Sequence, residues 1–141
     1  MFFGEFEYRI DERGRVPIPP KFRGELKAGV VLTPGVEKCI IAYPVAEWVK
    51  LADALTTGSV SPSKLRRLNR AVFATAFNLK IDGQGRIALP ISLKERAEIV
   101  DEVIIAGANK YLEIWNKVHW ETEKAVSLEQ AGKIIESLER H

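Results

Sequence analysis

The 141-residue chain holds one cysteine, Cys39, one methionine, and two histidines, His119 and His141. A lone thiol excludes an internal disulfide framework and fits a reducing compartment. Neither histidine stands with Cys39 at zinc-ligand spacing, so no metal and no cofactor is expected. No run of about 18 apolar residues is present to span a bilayer. The N-terminus reaches acid at Glu5 without the apolar stretch of a signal peptide. Catalytic signatures are missing as well. There is no Gly-x-Ser-x-Gly and no Walker loop, and Gly83-Gln84-Gly85 lacks the third glycine of a dinucleotide fingerprint. Asp11 and Asp82 have no obvious device to raise a carboxyl pKa, which argues against an acid–base pair. These absences lead to the expectation of a cytoplasmic protein that is not an enzyme. Its length suits one domain or two tightly fused halves.

What is present is a repeat. Ile10-Asp11-Glu12-Arg13-Gly14-Arg15-Val16-Pro17-Ile18-Pro19 returns 71 residues later as Ile81-Asp82-Gly83-Gln84-Gly85-Arg86-Ile87-Ala88-Leu89-Pro90. With a one-residue shift, Gly35 then corresponds to Gly107 and Tyr43 to Trp115. A long unit present only twice predicts two half-units sharing one core, since a solenoid needs at least three. Net charge is only +2, but residues 1 to 80 carry +5 and residues 81 to 141 carry −3. Lys64, Arg66, Arg67, Arg70 and Lys80 lie in a stretch without acid between Asp53 and Asp82. Such a cluster is a solvated helix face unless assembly accumulates its charge into a phosphate-binding surface.

Phe6, Tyr8 and Ile10 alternate with charged residues, the period of a half-buried strand. Asp11 to Arg15 follows as a turn, in which Gly14 supplies the positive φ. Val16 to Ile18 reads as a short strand, and Pro19-Pro20 opens a helical turn. Val30 to Leu32 and Cys39 to Tyr43 predict a hairpin around Pro34-Gly35. A helix from Pro44 places Trp48, Leu51, Ala52 and Leu55 on one face. Ser61-Pro62 starts another, expected through about Phe73. The second copy repeats strand, turn (with Gly85) and short strand. It is followed by a helix over Ile91 to Ile99 and strands over Glu102 to Ala106 and Tyr111 to Trp115. A last helix from about Asn116 carries an apolar stripe of Leu128, Ala131, Ile135 and Leu138.

The doubled Asp-x-x-Gly-Arg turn, the opening Phe-x-Gly, Tyr43-Pro44-x-x-Glu47-Trp48, Arg66-Arg67-x-x-Arg70 and Leu112-Glu113-Ile114-Trp115 resemble the MraZ proteins over nearly the whole chain. The resemblance implies a bacterial transcriptional regulator with two AbrB-like halves, assembled into a ring. It also implies binding to repeated double-stranded DNA elements ahead of a division and cell-wall gene cluster, and a nucleoid-associated location. The expected architecture is α+β, a pseudo-two-fold swapped-hairpin barrel of two interleaved repeats with peripheral helices. The halves are placed at residues 5–47 and 76–119, a helical connector at 48–75, and a C-terminal helix at 120–141.

Arginine presents a planar fork of donors that matches phosphate and pairs bidentately with guanine. Arg15 and Arg86 are therefore the first candidates for DNA contacts. Arg13 follows, because Gln84 replaces it in the second copy, which makes the first loop the stronger reader. Asp11, Gly14, Asp82 and Gly85 are assigned to building the turns. The competing role for Arg15 and Arg86 is to clamp their own turns onto Asp11 and Asp82, an exposed pairing worth about 0–1 kcal/mol. Trp48, Trp115 and Trp120 fit a core better than a base-stacking platform. The alternative function is a ring-forming interaction scaffold without specific DNA binding.

Overall fold

A computed structural model of the chain describes residues 1–139; His141, and with it the end of the expected C-terminal segment, lies outside the described residues. Among the described residues, eight strands and four α-helices make a mixed α+β architecture. The strands are β1 (Glu5–Arg9), β2 (Arg15–Pro17), β3 (Val30–Pro34), β4 (Ile40–Pro44), β5 (Phe77–Leu79), β6 (Arg86–Ala88), β7 (Glu102–Gly107) and β8 (Leu112–Asn116). The helices are α1 (Val45–Thr57), α2 (Pro62–Asn69), α3 (Ile91–Arg96) and α4 (Lys117–Glu139).

Strands are exchanged between the repeats. One antiparallel sheet runs β1-β7-β8-β4-β3-β5, and β2 pairs with β6 in a separate ribbon. Each first-copy strand has a second-copy counterpart, and replacing every strand by that counterpart reproduces the same order from the other end. The symmetry extends to register. Val16 faces Ile87 at the middle of the ribbon, and Ile41 faces Glu113 at the middle of the sheet. The expected closed barrel is not formed by the described residues. β1 and β5 remain as sheet edges, because the ribbon packs face-on against the sheet through side chains instead of joining it by backbone hydrogen bonds.

The layers follow from the patterning. β1 alternates, turning Phe6 and Tyr8 inward. β3 and β7 are covered on both faces, so Val30–Leu32 and Val103–Ala106 are apolar throughout, and Thr33 is buried with them. Val30, Leu32, Val103 and Ile105 meet Val16, Ile18, Ile87 and Leu89 of the ribbon region in one core. On the other face, Trp115 packs on Trp120 of α4 at 5.9 Å. There too, Tyr43 packs on Trp48 of α1 at 5.7 Å, and Trp48 on Phe73 at 5.1 Å. All three tryptophans therefore serve packing.

Several boundaries differ from the sequence expectation. α2 is capped by Ser61, whose hydroxyl accepts from the Lys64 amide at 3.4 Å, but the helix to Phe73 is α only to Asn69. A wider π turn, Arg70–Ala74, completes it and carries Phe73 onto Trp48. α3 stops at Arg96 because Glu98 adopts a left-handed φ of 56° and the Ile99 amide bonds back to the Lys94 carbonyl at 3.0 Å. This reversal buries Ile99 in the core with Leu93. The position equivalent to Gly35 is Ala108 rather than Gly107. Ala108 donates to the Tyr111 carbonyl as Gly35 does to that of Cys39, while Gly107 is still inside β7. In α4 the apolar stripe is exposed rather than buried, with Leu128 at 69% and Leu138 at 70%.

Candidate nucleic-acid interface

Each Asp-x-x-Gly-Arg segment is a self-contained turn built on its aspartate. Asp11 Oδ1 accepts from the amides of Arg13 and Arg15, both at 2.9 Å, and Oδ2 accepts from Arg15 Nε at 2.8 Å. The Asp11 amide donates to the Arg15 carbonyl, and its own carbonyl accepts from the Gly14 amide, both at 3.0 Å. The second turn repeats this with Asp82, Gln84, Gly85 and Arg86, its Asp82–Arg86 Nε bond being 3.0 Å. Gly14 and Gly85 have φ of +72° and +78°, which side chains resist. Backbone donation from Arg15 and Arg86 chiefly holds the two Asp carboxyls below the usual carboxylate range, and the guanidiniums add to it.

The pairing of β2 with β6 brings the two turns together. The Leu89 amide donates to the Gly14 carbonyl at 2.9 Å and the Ile18 amide to that of Gly85 at 2.8 Å, so each turn is anchored by the other repeat. Arg86 reaches across to Asp11, its Nη1 lying 3.8 Å from Oδ2. Arg15, Arg86, Asp11, Asp82, Gly14 and Gly85 thus form one connected constellation. Arg15 and Arg86 are clamps in this geometry, each about one quarter exposed. Their Nε atoms donate to the aspartate of their own turn. Arg13 is exposed at the tip of its turn, and its side chain makes no hydrogen bond to a described residue. Glu12 stands beside it, where the second turn has Gly83.

Two cations escaped the sequence reading. The Arg23 guanidinium lies over Gly85, where a Cβ would collide with it, and its Nε donates to the Ile18 carbonyl at 3.0 Å. Lys94 Nζ lies over Gly14 in the same manner, 3.4 Å from where a Cβ would stand. Arg23 and Lys94 have the same separation in sequence as the two turns, and that was the available signal. The assembled face carries Arg13, Arg15, Arg23, Arg86 and Lys94 against Asp11, Glu12 and Asp82. The basic cluster of Lys64, Arg66, Arg67 and Arg70 lies on α2 and the π turn, outside this ribbon. Cys39 is buried and its thiol is pushed up to about 12, chiefly by burial.

An exchanged tandem repeat with two interlocked, arginine-bearing turns defines a class of two-in-one α+β proteins with a cationic ribbon face. The family model described as "MraZ protein, putative antitoxin-like" matches the chain twice, over residues 1–71 and 72–132. The chain is 59% identical to "Transcriptional regulator MraZ" of Dehalococcoides mccartyi over all of both chains. It is 41% identical to the protein of that name from a Roseiflexus species, covering 86% of this chain and 85% of the relative. A Parafrankia relative of the same name is 37% identical over 98% and 96%. The chain belongs to the MraZ family.

Proposed function

We propose that this chain is a transcriptional regulator that binds repeated double-stranded DNA elements through its paired turns, as a ring-shaped homo-oligomer. In this reading its targets lie ahead of its own division and cell-wall genes, and the protein is nucleoid-associated. The observation that supports this reading most is the coupling of the two turns. Clamping Arg15 and Arg86 by Nε holds each guanidinium in place, which pre-organises it for phosphate or guanine at little further entropic cost. Arg23 and Lys94 add positive charge next to each glycine, which favours phosphate contact. One face offers too few contacts for tight binding. Several copies in a ring engage repeated elements with a large gain in effective concentration. The two AbrB-like halves, near residues 5–47 and 76–119, supply one turn each, and the connector at 48–75 links them.

Arg13 is the cleanest probe, because its side chain takes no part in the clamp. Fluorescence anisotropy with DNA from upstream of the protein's own gene, against scrambled DNA at two salt concentrations, tests the reading. Arg13→Ala is expected to compress the operator-to-random ratio, by about 1–3 kcal/mol per engaged turn. Lys94→Ala is expected to weaken both DNAs alike and to lower the salt slope by about 1 per contact. Wild-type protein that binds neither DNA overturns the function. Wild-type affinities in both variants overturn the assigned face.

A further inference from the structure

Helix α4 is longer than the sheet that supports it. Its N-terminal part is fastened down: Asn116 caps it through the Val118 and His119 amides, Trp120 packs on Trp115, and Lys124 pairs with Glu5 at 3.0 Å. From residue 125 to 139 every described position is exposed. That is an arm about 22 Å long at the α-helical rise. Isolated helices of this length are marginal in water without an apolar face to bury. The arm has such a face, formed by Leu128, Ala131, Ile135 and Leu138, and it continues the side of the helix that packs through Trp120. Beside Leu128 and Ile135 stand Glu129 and Glu136, seven residues apart and so on one side of the helix. Neither pairs with another described residue, and Lys133 is the arm's only cation among positions 125–139.

Helix α2 is complementary. It buries none of its residues, and Lys64, Arg66, Arg67 and Arg70 make no ion pair with a described residue. Val60, Lys64, Arg67, Leu68 and Ala71 line a shallow groove of about 400 Å³ along it. An apolar floor with two cations at its rim is the counterpart of an apolar stripe edged by two carboxylates. The two surfaces follow different repeats, so joining them head to tail is a heterologous contact, the kind that generates rings.

We propose that the α4 arm of one copy docks in the α2 groove of the next, with Glu129 and Glu136 facing Lys64 and Arg67. The inference deepens the ring reading above and rests on it. It also gives the acid-free basic stretch a role in assembly rather than in DNA contact.

The test is charge reversal, read by light scattering and native mass spectrometry. Lys64→Glu with Arg67→Glu is one variant, and Glu129→Lys with Glu136→Lys the other. All four positions are exposed, and an acid at position 64 completes a capping box with Ser61, so the protomer fold should survive, as circular dichroism will register. Each variant alone should raise the concentration at half-assembly on the order of tenfold or more, because like charges then face each other. Mixing the two variants, or placing all four reversals in one chain, should restore the wild-type mass. Variants that assemble like the wild type, or a failure of both rescues, overturn the helix pairing while leaving the ring reading standing. A wild-type protein that stays at 15.8 kDa up to high micromolar concentration overturns the pairing and the ring together.

Discussion

Asp11 and Asp82 each collect two backbone donors and one guanidinium Nε, so each turn depends on a single carboxylate. Backbone donation, with the guanidinium behind it, stabilises the charged form and lowers the folded-state pKa of both groups. A lowered acid pKa contributes stability that is complete above the unfolded-state value and is lost as pH falls through the folded-state value. Asp82→Asn should therefore melt below wild type at neutral pH. The gap should close as pH falls below the ordinary carboxylate range, where the wild type also loses its charge. Thermal melts of both proteins between pH 7 and pH 2.5 check this, and a constant gap would mean that charge does not hold the turn. At this scale the two turns built by Asp11, Gly14 and Arg15 and by Asp82, Gly85 and Arg86 were legible as a repeated Asp-x-x-Gly-Arg pattern, because turn chemistry is local. The sequence reading missed Arg23 and Lys94, which reach the glycines only after the repeats exchange strands.

At the scale of elements, periodicity carried most of the information. The alternation in β1 and the apolar stretches Val30–Leu32 of β3 and Val103–Ala106 of β7 were readable because a strand's pattern reports how many of its faces are covered. Helix ends were less readable. The left-handed Glu98 that ends α3 is not a glycine, and the π turn after α2 is fixed by Phe73 seeking Trp48. The central β4–β8 pair holds an exception to apolar patterning in Glu113, opposite Ile41. Burial pushes its carboxyl up, Glu37 and Glu123 add to this, and a 3.1 Å bond from Trp115 Nε1 partly offsets it. Cys39, Tyr43 and Tyr111 lie in the same neighbourhood, and burial is the main cause that pushes each of these groups up as well. An acid with a raised folded-state pKa destabilises the fold once it ionises, so this penalty disappears as pH falls through that value. Glu113→Gln should melt above wild type at pH 7 to 8, and the advantage should shrink on acidification. Paired melts across that range measure it, and a variant less stable than wild type at pH 8 would show that the Trp115 bond outweighs burial.

For the whole molecule, exchange of strands means that neither repeat owns a core. β1 rests on β7, β5 rests on β3, and the ribbon takes one strand from each copy. Leu32 from the first repeat and Ile105 from the second are both fully buried in the same cluster. The halves should therefore fold together or not at all. Cutting the chain between α1 and α2, near Ser59, should give two fragments that are unstructured apart and recover the native far-ultraviolet spectrum when mixed. Within the intact chain, Leu32→Ala or Ile105→Ala should each cost about 2–5 kcal/mol, the range for truncating a buried aliphatic side chain. Either loss should appear as a shift of one cooperative denaturant transition, with its slope unchanged. Two separate transitions, or a second-repeat fragment that folds alone, would show that the halves are independent domains. In that case the two turns would not be held in a fixed relation, and their coupling would no longer support joint engagement of a single DNA element.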